Sequence, residues 1–122
     1  MIVGQVDSRL NLFLPVVVRG FAGQELALNA LLDTGFSDFL SLTDDQIQTL
    51  GLLPSGVAES ELADGSIVPV TLYTAVVVWE GIERLIEVVG GDSDPLLGVK
   101  LLEGYLMTVE FTENGNLQLS RL

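Results

Sequence analysis

The sequence predicts one mostly β, barrel-like domain with two short helices, spanning residues 1–122. Short apolar runs rich in β-branched residues alternate with turn signals, and Asp64-Gly65 and Asn114-Gly115 are strong signals for hairpin turns. Helical signals are confined to two short stretches, near residues 43–51 and 99–104. A chain of 122 residues is long enough to bury one core and too short for two.

The first third of the chain is expected to form strands at residues 1–7, 12–18 and 25–32, with turns between them. Pro15 lies inside the second run. Because proline has no N–H to donate to a neighbouring strand, it indicates a sheet edge or a bulge. A further strand is expected around Phe39, Leu40 and Leu42.

The clearest helix start is Thr43-Asp44-Asp45-Gln46, which fits the capping-box pattern with acids in the first turn. Ile47 and Leu50 share one face of this helix, and Gly51 stands at the position of a C-cap glycine. Since the helix start already explains Asp44 and Asp45, we interpret them as capping acids and not as metal ligands. Residues 52–58, rich in proline, serine and glycine, are expected to form a loop.

The second half of the chain predicts three hairpins, whose strand pairs are 59–62 with 67–73, 74–79 with 84–89, and 105–111 with 117–122. Leu96-Leu97 is expected to be a buried strand, followed by a helix over residues 99–103. Trp79 is expected to pack in the core. Asp92 and Asp94 resemble the opening of a calcium loop, but the rest of that pattern is absent, so no calcium site is expected.

Composition excludes several classes of function. The net charge is −12, and the only basic residues are Arg9, Arg19, Arg84, Lys100 and Arg121, which are scattered along the chain. A nucleic-acid partner or an anionic membrane surface is therefore not expected. The absence of cysteine removes disulfides and thiolate zinc sites, and the absence of histidine removes Ser-His-Asp and Cys-His catalysis. Carboxylates remain for acid-base chemistry.

The distribution of apolar residues predicts where in the cell the protein is located. No apolar run approaches the ~20 residues that a membrane helix needs. Residues 1–7 lack the basic and apolar regions of a secretory signal. We expect a soluble, cytoplasmic protein, whose 48% hydrophobic content leaves apolar surface for a partner.

The chemistry is expected at Asp33, in the stretch Ala30-Leu31-Leu32-Asp33-Thr34-Gly35-Phe36-Ser37. Leu31 and Leu32 are expected to lie on a buried strand, and Gly35 is expected to allow a turn that a Cβ would resist. A carboxylate at the inner end of a strand is costly unless something uses or satisfies it. One alternative is that Asp33 only makes an Asx turn, in which its side chain bonds backbone N–H groups.

Leu31-Leu32-Asp33-Thr34-Gly35 resembles the active-site motif of retropepsin-like (clan AA) aspartic proteases, which is two apolar residues, Asp, Thr or Ser, and Gly. Leu96-Leu97-Gly98 before a short helix is similar to the second signature of that family. Residues 62–68 between them resemble the flap hairpin in position and pattern. The three elements occur in the order of the family, and the resemblance covers nearly the whole chain. It is closest to the small single-domain bacterial members.

The resemblance implies the acid protease fold, a closed β-barrel with one or two short helices, and the activity of an aspartic endopeptidase without metal or cofactor. Pepsin-like enzymes carry two such motifs and this chain carries one, so the resemblance implies a homodimer acting on a peptide or protein substrate. The implied catalytic residues are Asp33, Thr34 and Gly35. The implied substrate-binding residues are Phe36, Ala63, Asp64, Gly65, Ser66, Leu97 and Gly98.

Three positions depart from the retroviral pattern. Phe36 stands where retroviral members have the much smaller alanine. Ser37 and Val99 stand where they pair an acid with an arginine, so the network that supports the dimer is expected to be missing. The flap also lacks the usual run of glycines.

Alternatives remain at this point. A catalytically silent module of the same fold would dimerise or bind peptides without cleaving them. The hairpin around Asp64-Gly65 would then be an ordinary surface hairpin and not a flap. An acidic cation-binding protein has only the charge to support it.

Overall fold

The structure is a computed structural model that describes residues 1–91 and 93–122. In these residues the chain forms eleven strands and two short helices. In chain order they are β1 (Ile2–Val3), β2 (Gln5–Val6), β3 (Leu12–Arg19), β4 (Glu25–Leu32), β5 (Leu40–Thr43), α1 (Asp44–Leu50), β6 (Pro54–Glu61), β7 (Ile67–Trp79), β8 (Ile82–Gly91), β9 (Leu96–Leu97), α2 (Val99–Leu102), β10 (Tyr105–Val109) and β11 (Leu117–Arg121).

Strand pairing closes six strands into a ring. The larger sheet has the order β2-β3-β4-β9-β5-β8-β7-β6, and an additional pairing between β3 and β7 joins its two sides. The strands β3, β4, β9, β5, β8 and β7 therefore form a closed circuit, from which β6 extends as an edge strand. A second sheet contains β1, β11 and β10. The mostly β architecture agrees with the fold class that the sequence predicted.

The core consists of Trp79 and aliphatic side chains from both sheets and both helices. In β3 the buried residues are Leu14, Val16 and Val18, so alternate positions of this strand face the core. Ile47 and Leu50 of α1 are buried, and Leu101 of α2 is fully buried. Both helices are thus fixed to the barrel by apolar packing.

The predicted details at α1 and at Trp79 are confirmed. Thr43 caps α1 by accepting a hydrogen bond from the N–H of Gln46, whose side chain accepts one from Thr43 N–H, and Gly51 ends the helix in the left-handed conformation. Trp79 is buried and its ring centroid lies 5.5 Å from that of Tyr105. Pro15 lies between the two short stretches of β3 that pair with β2 and with β7.

Three predicted boundaries are wrong, for reasons of pairing. Residues 1–7 form two strands instead of one, because Ile2 and Val3 pair with β11 whereas Gln5 and Val6 pair with β3 of the other sheet. Residues 54–58 are not loop, because β7 is one continuous strand long enough to pair with all of β6. The turn after Trp79 is shorter than expected, since Ile82 already pairs with Trp79.

Candidate active site

Asp33 lies at the end of β4, where two strands run in parallel. Leu31 and Leu32 pair with Leu96 and Leu97 of β9, and the N–H of Asp33 donates to the Leu97 carbonyl oxygen at 3.0 Å. The two sequence signatures therefore meet at one point of the sheet. The prediction that Leu31 and Leu32 are buried is wrong in degree, because both are partly buried, whereas Ala30 before them is fully buried.

A turn holds one oxygen of the Asp33 carboxylate. Asp33 Oδ1 accepts a hydrogen bond from Gly35 N–H at 2.9 Å, and the carbonyl oxygen of Asp33 accepts one from Phe36 N–H at 3.1 Å. This is the Asx turn that the sequence allowed as an alternative role for Asp33. Among the described residues, Asp33 Oδ2 has no hydrogen-bond partner. The turn therefore orients the carboxylate and leaves its second oxygen free.

Gly35 acts differently from the expectation. Its φ does not lie in the left-handed range, which the glycines at 23, 51, 65, 81 and 104 adopt. In the described part of the chain, and apart from its chain neighbours, a Cβ on Gly35 would meet only Asp33 Oδ1 within 4 Å, at 3.2 Å. The glycine thus leaves room for the carboxylate and is not required by the backbone conformation.

Gly98 joins the motif loop, residues 33–39, to α2. Gly98 is buried, and its N–H donates to the Phe39 carbonyl oxygen at 2.9 Å. The N–H groups of Val99 and Lys100 donate to the carbonyl oxygens of Phe36 and Asp38 at 3.1 and 3.3 Å. The predicted close backbone approach at Gly98 is therefore confirmed.

An ion pair links the same two segments one position beyond Ser37 and Val99 in each. Lys100 Nζ lies 3.5 Å from Asp38 Oδ1, and it also lies 5.4 Å from the centroid of the Phe39 ring. Arg84 lies 5.8 Å from the same ring. Both charged groups of the pair are about half exposed, so it contributes at most about 1 kcal/mol to stability.

A cleft of about 490 Å³ lies between the motif loop and β6. Three of the predicted site residues line it, namely Asp33, Gly35 and Phe36. Its other lining residues were not predicted as site residues: Ser37, Asp38, Ala58, Glu59, Ser60, Glu61, Val70, Val89 and Leu96. Of these residues, Glu59 and Glu61 had one signal in the sequence, since a strand was predicted to begin at residue 59, next to the flap turn.

The remaining predicted site residues are not among those that line the cleft. Thr34 is exposed on the motif loop, and Leu97 and Gly98 are buried behind it. Residues 63–66 form the exposed turn between β6 and β7. In that turn Asp64 Oδ1 accepts hydrogen bonds from the Ser66 hydroxyl at 2.5 Å and from Ser66 N–H at 2.9 Å. These two bonds, the hydroxyl first, hold the pKa of Asp64 below its ordinary value.

The described residues hold no group of three or more His, Cys, Asp or Glu side chains that is arranged to bind a metal ion. Asp92, which the calcium-loop comparison involved, lies outside the described residues. Within the part of the chain that the structure describes, no helix has the length and apolar character to cross a membrane.

Comparison with known proteins agrees with this architecture. The chain is similar to the crystal structure of a retropepsin-like aspartic protease from Rickettsia conorii, with a TM-score of 0.62 and 20% sequence identity, over 98% of this chain and 90% of that one. No family model and no curated protein matches the chain. At this identity the similarity concerns the fold. Together with the closed circuit of strands, it shows that the chain has the retropepsin-like fold.

Proposed function

We propose that the chain is an aspartic endopeptidase that acts as a homodimer, with one Asp33 from each protomer at the two-fold axis. The observation that carries this proposal is the state of Asp33 in its cleft. One carboxylate oxygen is oriented by Gly35 N–H, and the other has no partner among the described residues while the side chain lines a cleft of about 490 Å³. The retropepsin-like fold of the neighbour supports the same reaction class by analogy only.

The mechanism requires two carboxyls, because one motif supplies only one. Two Asp33 carboxyls side by side cannot both ionise, so the pair shares one proton. The ionised carboxylate takes a proton from a water molecule held between them, and the resulting hydroxide attacks the peptide carbonyl carbon. The protonated carboxyl donates a hydrogen bond to the carbonyl oxygen as negative charge develops on it. A carboxyl then protonates the amide nitrogen, and the C–N bond breaks as the carbonyl re-forms, which releases an amine and a carboxylic acid and leaves the pair with one proton.

The surrounding residues have supporting roles in this proposal. Thr34, exposed on the motif loop, hydrogen-bonds across the axis and fixes the two loops to each other. The Gly35 carbonyl and the β6–β7 turn, residues 63–66, face an extended peptide that is bound by main-chain hydrogen bonds. Phe36 restricts the space beside the carboxyl pair, while Leu97 and Gly98 support the motif loop from behind. A cytoplasmic enzyme is part of the proposal, and the lack of cysteine is compatible with a reducing compartment.

The Asx turn at Asp33 favours a second candidate, a peptide-binding or dimerising module that does not cleave. In such a module the Gly35 N–H to Asp33 hydrogen bond would be the whole role of the side chain. Replacement of Asp33 by asparagine distinguishes the two candidate functions. An amide oxygen preserves the turn, but the amide cannot carry the proton that catalysis needs.

The test is cleavage of a fluorogenic peptide library by the wild type and by Asp33→Asn. We expect the variant to keep its circular dichroism spectrum and its unfolding midpoint and to lose all cleavage. The matched control is Glu103→Gln, which removes an exposed carboxylate at the end of α2, outside the cleft. This variant is expected to cleave like the wild type. Undiminished cleavage by Asp33→Asn would refute the catalytic assignment. Peptide binding without any cleavage by the wild type would support the module.

A further inference from the structure

A buried hydroxyl lies in the apolar strand β5. Among the described residues, Ser41 is the only buried one that has a hydroxyl, amide or charged side chain, and it is 8% exposed. Its neighbours Leu40 and Leu42 are fully buried. A polar side chain in such surroundings lowers stability unless it is hydrogen-bonded. The hydroxyl of Ser41 therefore needs a partner.

That partner is the backbone of β9, which lies 55 residues further along the chain. The hydroxyl oxygen of Ser41 accepts a hydrogen bond from Leu96 N–H at 2.9 Å. The backbones of β5 and β9 pair at Leu40 and Leu97, and β5 then continues in parallel with β8. The side chain of Ser41 thus extends the contact between β5 and β9 by one residue beyond the backbone pairing.

The short strand β9 in turn holds the end of β4, where Asp33 lies. Leu31 N–H donates to the Pro95 carbonyl oxygen and Asp33 N–H donates to the Leu97 carbonyl oxygen, both at 3.0 Å. The end of β4 is therefore bonded to the residues on both sides of Leu96. Because β9 has only two residues, it has few backbone hydrogen bonds, and the serine hydroxyl supplies one of the contacts that fix it.

We infer that Ser41 is a positioning residue for Asp33, which acts through β9 and does not itself contact the substrate. This inference rests on the proposed function and adds a residue to its machinery. Ser41 does not line the cleft, whereas Leu96, which its hydroxyl binds, lines it together with Asp33. Without the hydroxyl, Leu96 N–H loses its acceptor and β9 shifts, so the carboxyl of Asp33 moves with the Leu97 carbonyl oxygen to which Asp33 N–H is bonded. A displacement of about 1 Å at a reacting group can lower the rate roughly a hundredfold.

The test compares Ser41→Ala, which removes the oxygen, with Ser41→Thr, which keeps an oxygen on the same carbon and suits a strand. With a fluorogenic peptide that the wild type cleaves, we expect kcat of Ser41→Ala to fall roughly tenfold to a hundredfold while KM is unchanged. Ser41→Thr should keep most of the wild-type kcat. This split between kcat and KM, and the rescue by threonine, would not follow from a role in stability alone.

Ile86→Val is the matched control, because it removes part of a buried side chain of β8 at a site that does not line the cleft. It should unfold at a lower temperature than the wild type and keep the wild-type kcat well below that temperature. If kcat falls no further in Ser41→Ala than in Ile86→Val, the inference is overturned. A stably folded Ser41→Thr that is as slow as Ser41→Ala would also overturn it, because the hydroxyl would then not be what matters.

Amide hydrogen exchange separates this inference from the proposed function, because it requires no cleavage. In Ser41→Ala we expect exchange at the N–H groups of Leu96 and Asp33 to become roughly tenfold faster, as for the loss of one hydrogen bond. Exchange at Gly4 N–H, which donates to the Leu117 carbonyl oxygen in the other sheet, should change much less. Faster exchange at Asp33 in a protein whose wild type cleaves nothing would refute the proposed function and leave the link from Ser41 to Asp33 standing. Cleavage that requires Asp33 but is unaffected by Ser41→Ala, with unchanged exchange at Asp33, would do the reverse.

Discussion

Gly98 lies so close to Asp38 that a Cβ atom on the glycine would stand 2.0 Å from the Asp38 carbonyl oxygen. The same Cβ would stand 2.7 Å from the carbonyl oxygen of Phe36. Both contacts are with backbone atoms, which cannot rotate away as a flexible side chain does. The contact between Gly98 and the motif loop thus fixes the loop from behind, while Asp33 N–H bonds Leu97 beside it.

Replacing Gly98 by alanine should therefore destabilise the fold and displace the motif loop. We expect a loss of about 1–3 kcal/mol in the free energy of unfolding, as for overpacked cores, measured by urea denaturation. Gly91→Ala is the control, because among the described residues no atom beyond its chain neighbours lies within 4 Å of a Cβ built on Gly91. In this variant the free energy of unfolding should change by no more than a few tenths of a kcal/mol, or rise slightly. Equal stability of the two variants would contradict this expectation, because it would mean that the motif loop moves away from the new Cβ with little loss of free energy.

The sequence predicted the motif and its two partner elements because they rest on local chemistry. Asp33, the Leu96-Leu97-Gly98 triplet and the capping box at Thr43 each combine a residue type with a fixed short spacing. The register of β6 rests on something else. Pro54 and Gly56 have loop-like composition, yet they lie in a strand because β7 runs past them and supplies the pairing. Composition cannot reveal the length of a partner strand.

The pair formed by Asp38 and Lys100 shows the same limit at the site. Ser37 and Val99 carry no charge, so the acid–arginine network that supports the dimer in retroviral proteases was predicted to be missing. The two segments approach each other through the Gly98 contact, and this approach places the neighbouring residues, one position along in each segment, 3.5 Å apart. The identity of a tertiary partner depends on how two backbones approach, which no local pattern encodes.

The turn between β6 and β7 should respond to acid through Asp64. Because the Ser66 hydroxyl and then its N–H lower the pKa of Asp64, the stabilisation is fully present above the ordinary aspartate pKa and is lost as the pH falls through the lowered one. In Ser66→Ala the pKa of Asp64 should rise toward its ordinary value, as measured by NMR titration of the carboxyl carbon. The pKa of Asp7, lowered mainly by Asn11 N–H, should stay unchanged as an internal control. An unchanged Asp64 pKa would show that the hydroxyl contact is absent in solution.

The proposed enzyme should be a homodimer at micromolar concentration, as measured by sedimentation. The charge of −12 per chain opposes association, so added salt should lower the dimer dissociation constant. Thr34→Ala should raise that constant by roughly fivefold to a hundredfold, through the lost cross-axis hydrogen bonds of both protomers. Thr49→Ala, which removes an exposed hydroxyl on α1, is the control. A monomer at every concentration and salt level would leave the protease proposal without its second carboxyl.

The dependence of rate on pH exposes the mechanism most directly. In the proposed mechanism two Asp33 carboxyls share one proton and act as a unit, and only the pair that holds one proton is active. The rate should therefore follow a bell, which falls in acid as the base is protonated and falls in alkali as the shared proton is lost. Acid also neutralises part of the 17 carboxylates of each chain and eases repulsion between protomers, so it should favour the dimer. Both effects place the maximum rate on the acidic side of neutrality.

The measurement is kcat/KM from pH 3 to 9, with the dimer fraction determined at each pH. A rate that climbs steadily to pH 9 while the dimer persists would exclude the shared proton and indicate a different base.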